Sequence, residues 1–238
     1  VRVTNQYGAP EQFVAAVQRD RYSRGESDFS ATQLLRPPQM ARLEAEHEDK
    51  LSSDVSDMVF ALLGSGVHSI LEGCAPDGAI VERRWFAEAS GYVVSGAIDL
   101  YHDGHISDYK VTGTYSAINV KEEWEQQLNI YAWLLRQNDQ PVNSLTIIAV
   151  CRDWMRSKIG TRNYPQSPIV QIKLPLWPAH VAEQFVLSRV AMHTSEDVAP
   201  CSDSERWMNR SGVYIRCESY CAVSDFCPQH TDPKGGIK

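Results

Sequence analysis

Two carboxylates and one amine lie close together in the middle of the chain. Asp99 ends the run Gly96-Ala97-Ile98-Asp99, and Asp108 and Lys110 fall in Ser107-Asp108-Tyr109-Lys110, just beyond a short turn. Asp108 and Lys110 are two apart, so on a strand they point to one face, where Asp99 of an adjoining antiparallel strand can meet them. Paired carboxylates suit Mg²⁺ or Mn²⁺, which prefer oxygen ligands and leave positions for water and a substrate phosphate. The lysine would offer fixed positive charge to a developing phosphorane or orient the attacking water. An ordinary charged surface hairpin is the plain alternative, since Asp-x-Lys by itself is a common tripeptide.

The flanking sequence supplies elements able to hold these groups. Residues 92–101 are rich in β-branched and aromatic side chains, His102-Asp103-Gly104-His105 is a hairpin turn, and 106–111 resumes as a strand. Upstream, Asp54-Val55-Ser56-Asp57 reads as a helix start. The series Val55, Met58, Val59, Leu62, Leu63, Val67, Ile70 and Leu71 has helical spacing. That helix carries Gly64 and His68 and precedes a candidate strand over 79–89, near whose start lies Glu82. Downstream, 120–137 reads as a long amphipathic helix with Trp124, Leu128, Tyr131, Leu134 and Leu135 mostly on one stripe, and Gln127 and Tyr131 on a shared face. Further helices are expected over 10–19, 38–51 and 177–193, strands over 145–151 and 169–174, and a loose tail over 231–238.

Taken in order, Gly64-x3-His68, Gly96-x-Ile98-Asp99, Asp108-x-Lys110 and Gln127-x3-Tyr131 resemble the RecB-like branch of the PD-(D/E)xK nuclease superfamily. The resemblance runs from about residue 30 to 131 and less specifically beyond. Tyr22-Ser23-Arg24-Gly25, followed by Ser30-Ala31-Thr32-Gln33-Leu34 and Pro37-Pro38, is similar to phage-encoded members. It implies an α/β fold with a restriction-endonuclease-like core, a mixed central sheet flanked by helices, and a cysteine-rich C-terminal extension. One domain over 1–238 is expected, with its core at about 54–195 and the cysteine region at about 196–230. The resemblance also implies that His68, Asp99 and Asp108 bind one or two Mg²⁺ or Mn²⁺ ions, joined by the Tyr109 carbonyl, and that Lys110 is the catalytic lysine. Gln127 and Tyr131 would steady the lysine or the DNA backbone. Glu82 is a candidate accessory acid. Each has a bland counterpart: a satisfied helix histidine for His68, a core ring for Tyr131, and a solvent-facing charge beside Arg83 and Arg84 for Glu82.

Cysteines form a second constellation. Of six, four fall late, at Cys201 and in Cys217-x3-Cys221-x5-Cys227. Four thiolates can complete a tetrahedral zinc site or hold a [4Fe-4S] cluster, and spacing alone does not separate the two. RecB-like relatives, among them CRISPR-associated adaptation nucleases and AddB subunits, hold an iron-sulfur cluster with one early cysteine and three late ones. Here no cysteine precedes His68, so either Cys201 serves as the fourth ligand or the cluster is absent. The resemblance favours iron-sulfur over zinc, and both over disulfides, because nothing marks the chain as secreted. Cys74 and Cys151 read as packed or free thiols.

At 238 residues, 43% hydrophobic, the chain can bury a substantial core. No apolar run approaching the roughly 18 residues of a membrane span is expected, no signal peptide is visible, and a cytoplasmic protein is the default. The net charge of -7 argues weakly against nucleic-acid binding. Local charge points the other way: the connection after residue 151 carries Arg152, Arg156, Lys158 and Arg162 around Trp154, a set able to grip phosphates and stack on a base. A solvated hairpin tip fits the same residues. Arg19, Arg21 and Arg24 make a second basic cluster. The function expected is a metal-dependent DNA exonuclease in phage or bacterial recombination, repair or replication. Its partners would be DNA, a recombination or single-strand-binding protein, and further copies of itself in a homo-oligomer. The other class in view is a non-catalytic DNA-binding subunit of a larger repair or CRISPR-type assembly.

Overall fold

The computed structural model describes residues 2–19 and 25–231. Arg21, Tyr22, Ser23, Arg24 and the tail from residue 232 lie outside the described residues. In chain order the elements are β1 (Arg2–Thr4), α1 (Glu11–Gln18), β2 (Phe29–Ser30), α2 (Ala31–Leu34), α3 (Pro38–Glu46), β3 (Ser52–Asp54), α4 (Val55–Glu72), β4 (Ile80–Ala89), β5 (Tyr92–His102) and β6 (His105–Thr112). There follow α5 (Thr114–Ile118), α6 (Glu122–Gln137), β7 (Ser144–Cys151), β8 (Ile169–Leu174), α7 (Ala179–Thr194), α8 (Ile215–Ser219) and α9 (Pro228–Thr231). They form two compact units, one of Val1–Arg19, Arg36–Met58 and Arg189–Lys238, the other of Asp20–Leu35 and Val59–Ser188.

The second unit holds a six-stranded mixed sheet in the order β2-β5-β6-β7-β8, with β4 on the other edge of β5. β4 pairs with β5 along nearly its whole length, from Ile80 opposite Tyr101 to Ala89 opposite Tyr92. The opposite edge of β5 is divided: β2 takes Val94 and Ser95 in parallel, and β6 takes Leu100 to His102 antiparallel. Residues 96–99 on that edge are left between two partners. β6 turns away there and runs parallel to β7 from His105 to Thr112. This fork is the structural origin of the site.

α6 packs on β4, β5, β6 and β7. Its second half, Leu128 to Leu135, is buried on all sides rather than on one stripe, while its first turn carries Glu122, Glu123 and Glu125. Leu128, Ile130, Leu134 and Leu135 of α6 and Ile98, Ile106, Leu145 and Ile147 of the sheet are all essentially inaccessible to solvent. Each such side chain contributes about 1.5–3 kcal/mol on burial. One polar residue interrupts the layer: Asn129 donates to the carbonyls of Glu125 and Pro175 and accepts from the Trp177 N–H, so its amide is satisfied while it ties down the turn after β8. The capping box of Ser30 and Gln33 starts α2 directly beside β5.

In the first unit, β1 and β3 pair in parallel. Asp54 ends β3 and accepts from Gln6 N–H, from Ser56 N–H and Oγ, and from Thr4 Oγ1. Those bonds, the Gln6 one foremost, hold its carboxyl down at about 2.

Several boundaries differ from the expected ones. The helix expected over 38–51 stops at Glu46, and 48–50 form a single 3₁₀ turn. β1, β2 and β3 depend on partners distant in sequence and carry no local alternation long enough to read. The expectation that no apolar run approaches membrane length is corrected: α4, at 18 residues with a mean hydropathy of 1.2, is long and apolar enough to span by length and composition. Phe60, Leu63 and Ile70 on it are exposed. Its His68 nonetheless bonds polar groups of the sheet, which places that end of the helix in the site described next.

Candidate active site

The fork of β5 and β6 releases backbone groups that a continuous ladder would have used. The register Leu100–Ser107, Tyr101–Ile106 and His102–His105 would set Asp99 opposite Asp108, yet the ladder stops short of that pair. The Asp99 side chain takes over, with Oδ2 accepting the Tyr109 N–H at 2.8 Å. The Tyr109 carbonyl is met by His68 Nε2 from α4 at 3.0 Å. The other imidazole nitrogen, Nδ1, lies 3.3 Å from Glu82 Oε1 and 3.6 Å from Asp99 Oδ2.

Glu82 enters the site by an unusual backbone. Its neighbours Val81 and Arg83 pair with Leu100 and Ile98, while Glu82 has φ +48° and leaves the ladder opposite Asp99. A left-handed conformation in a non-glycine residue is costly and gathers at functional positions. His68, Glu82 and Asp99 each offer one ligand atom, and the three atoms lie within 4.8 Å of one another.

Asp108 is 1% exposed. Its Oδ2 lies 2.6 Å from Lys110 Nζ, an ion pair without hydrogen-bond alignment, so this buried oxygen keeps acceptor capacity for another partner. Charge in the cluster is set by mutual proximity. Burial, then Asp108, pushes the Asp99 carboxyl up to about 7, against the opposing pull of His68. Glu82, joined by Asp99, raises His68 to about 9 although burial opposes it. In the metal-free protein the imidazolium therefore supplies the cation that the carboxylates require. Three oxygen-rich carboxyls, a carbonyl and an imidazole fit a hard divalent cation, provided the imidazole gives up its proton.

Gln127 and Tyr131 are also brought together, with Gln127 Nε2 donating to Tyr131 Oη at 2.7 Å. Both are buried, and the ring presses on Gly96: a Cβ there would lie 2.6 Å from Tyr131 Cε1 and 2.9 Å from Leu134 Cδ1. Gly96 is thus required by the ring, and the Gly-x-Ile-Asp and Gln-x3-Tyr motifs are two sides of one contact that sets α6 against the strand bearing Asp99.

The basic connection lies between β7 and β8. Arg152 is stacked on Phe60 of α4, with its guanidinium carbon 3.9 Å from the ring centre. Arg156 and Lys158 sit on one exposed 3₁₀ turn, and Arg162 is exposed. Trp154, read from sequence as exposed, is half-buried, its indole N–H donating to the Pro165 carbonyl at 2.8 Å. Asp153 between them caps α5 through Thr114 N–H at 2.6 Å, fixing the connection to the end of the strand that carries Asp108 and Lys110. Sequence reasoning singled out neither Asp153 nor Phe60; an acid 39 residues from the helix start at Gly113-Thr114 is a capping signal only once the two are known to be neighbours.

Cys201, Cys217, Cys221 and Cys227 line one recess of the first unit, and all six cysteines are free thiols. Cys151 is buried and Cys74 exposed.

The family model of the PD-(D/E)XK nuclease superfamily matches residues 3–228. The crystal structure of SSO0001 superposes with a TM-score of 0.59 at 17% identity, covering 92% of this chain and 94% of that one, a likeness of fold. A provisionally named exonuclease of Eubacterium rectale aligns at 13% identity over 84% of this chain and 82% of its own, with a TM-score of 0.36. No curated protein matches the chain. With a match from residue 3 to 228 and a mixed sheet that forks at an Asp, Asp-x-Lys site, the chain belongs to the PD-(D/E)XK nuclease superfamily.

Proposed function

We propose that the protein is a metal-dependent deoxyribonuclease, an exonuclease that hydrolyses DNA phosphodiester bonds in phage or bacterial recombination, repair or replication. The observation that carries this reading is the fork itself, where Asp99, Asp108 and Lys110 converge beside His68 and Glu82. A Mg²⁺ or Mn²⁺ ion held by His68, Asp99, Asp108 and the Tyr109 carbonyl, with Glu82 in reach, would acidify a water and neutralise the scissile phosphate. Lys110, fixed by Asp108, brings a positive charge to the developing phosphorane. His68 must shed its proton before it can serve as a ligand, and Glu82 holds the ring in place meanwhile.

Arg152, Arg156, Lys158 and Arg162 would take substrate phosphates, with Arg152 held in position by Phe60. The intact acids and lysine favour catalysis over a non-catalytic role. The four late cysteines are read as a thiolate-held metal centre, iron-sulfur ahead of zinc.

The test is degradation of linear and covalently closed circular DNA in Mg²⁺. Wild type should degrade linear DNA from its ends and spare the circle, and Lys110→Ala should lower kcat on the order of 10²–10³-fold. Undiminished activity in Lys110→Ala overturns the catalytic assignment, and cutting of the closed circle overturns the exonuclease assignment.

A further inference from the structure

The four-cysteine recess is furnished with donors aimed at its sulfurs. Its wall includes Gln39 from α3, Arg206 and Gln229. Gln39 spans two of the cysteines: its Oε1 accepts the Cys201 N–H at 2.8 Å, and its Nε2 points to Cys227 Sγ at 3.7 Å. Gln229 grips the Cys201 backbone from the other side, accepting the same N–H at 2.8 Å and donating to its carbonyl at 3.1 Å. Arg206 shares the recess wall with Cys217 and is braced by the Tyr214 ring, its guanidinium carbon 3.3 Å from the ring centre, and the Tyr214 hydroxyl is itself bonded to Asp203. Arg206 Nε is buried and meets no acceptor. A buried donor of this kind is costly to leave unmade, and it faces a recess lined by sulfur.

Four cysteines lining one recess are the donor set of a zinc or iron-sulfur centre. A metal held by four thiolates leaves net negative charge for nearby donors to offset.

We infer that Arg206 and Gln39 are positioning residues of a four-thiolate metal centre, Arg206 holding the Cys217 sulfur and Gln39 the Cys227 sulfur, and that together they govern how tightly the centre is retained and how readily it is reduced. This rests on the reading of the cysteines as a metal centre. A cationic donor to Cys217 favours the more negative, reduced state, so its loss lowers the reduction potential.

The experiment uses the full chain purified anaerobically, with iron, acid-labile sulfide and zinc measured per chain before and after a chelator challenge, in wild type, Gln39→Leu, Arg206→Leu and Arg206→Lys. Far-ultraviolet dichroism checks that each variant is folded. The expected result is a full metal complement in wild type and 10–100-fold faster metal loss in Gln39→Leu and Arg206→Leu, with substantial recovery in Arg206→Lys. If the metal is iron, Arg206→Leu also shows a lower midpoint potential. Metal present in wild type but lost no faster from either leucine variant overturns this inference and leaves the metal centre standing. Wild type without metal overturns both. Because Gln39→Leu keeps the packing of α3 and removes only the amide, it carries the test should Arg206→Leu fail to fold.

Discussion

Asp99→Asn should stabilise the metal-free protein at alkaline pH while removing metal-dependent cleavage. Burial and the neighbouring Asp108 raise the Asp99 carboxyl from 3.8 to about 7 in the fold. The folded state thus holds this proton more tightly than the unfolded chain. Its contribution is fully present below pH 3.8 and is lost as pH rises through about 7, beyond which the ionised carboxylate opposes folding. At about 1.4 kcal/mol per pH unit, the strain removed at about pH 8 comes to about 4 kcal/mol. Asparagine keeps an oxygen for the Tyr109 N–H but deprives His68 of one of its two acids, so a gain of about 2–4 kcal/mol is expected. For a chain of this length that is roughly 4–15 °C in Tm. Urea unfolding in EDTA, followed between about pH 4 and pH 8, measures it. The difference should vanish at the acid end and grow towards the alkaline end, and added Mg²⁺ should stabilise wild type but not the variant. A variant no more stable than wild type at about pH 8, or equally more stable at every pH, would refute the argument.

Metal affinity should rise steeply with pH between about 6.5 and 9, because the imidazolium of His68 must lose its proton to bind; titration calorimetry with Mn²⁺ in buffers of different ionisation enthalpy would show both the rise and the released proton. The same pairing stabilises the metal-free fold fully below 6.5 and is lost as pH passes 9, so His68→Ala should cost most stability in acid. Gly96→Ala should destabilise by about 1–3 kcal/mol in denaturant unfolding, and markedly less in a Tyr131→Ala background, where the ring that the new methyl would strike is gone. Additive losses would show that the two motifs are not in one contact. Arg152→Ala should weaken DNA binding and flatten its salt dependence by about 0.7–0.9 in slope, with little change in kcat at saturation.

Much of the site was legible because it is local. The β5-turn-β6 hairpin, the separation of Asp99 from Asp108 and Lys110, and the α6 pair Gln127 and Tyr131 are all set by residues within a few positions of one another. The mixed α/β sheet with flanking helices followed from the order of elements. What did not show is non-local. β2 is two residues long and exists only because β5 offers an edge, and Glu82 gains its place from a left-handed φ that no residue type announces. Gly96 read as part of a motif, whereas its reason, a ring 35 positions later, needs the packed helix. The four cysteines were countable as a set, but the glutamines that grip Cys201 come from α3 and α9.

The divided edge of β5 has a consequence for how this centre can change. Every backbone group that serves it is available only because two strands part company at Asp99. A mutation that healed the seam, letting β5 and β6 pair through Asp99 and Asp108, would return the Tyr109 amide and carbonyl to the ladder, and chemistry would be lost as order was gained. Transplanting Asp99, Asp108 and Lys110 onto an unbranched hairpin would copy the side chains and leave out the vacancy they work in. The unit that can be inherited or engineered is the branch point, and the acids are its fittings.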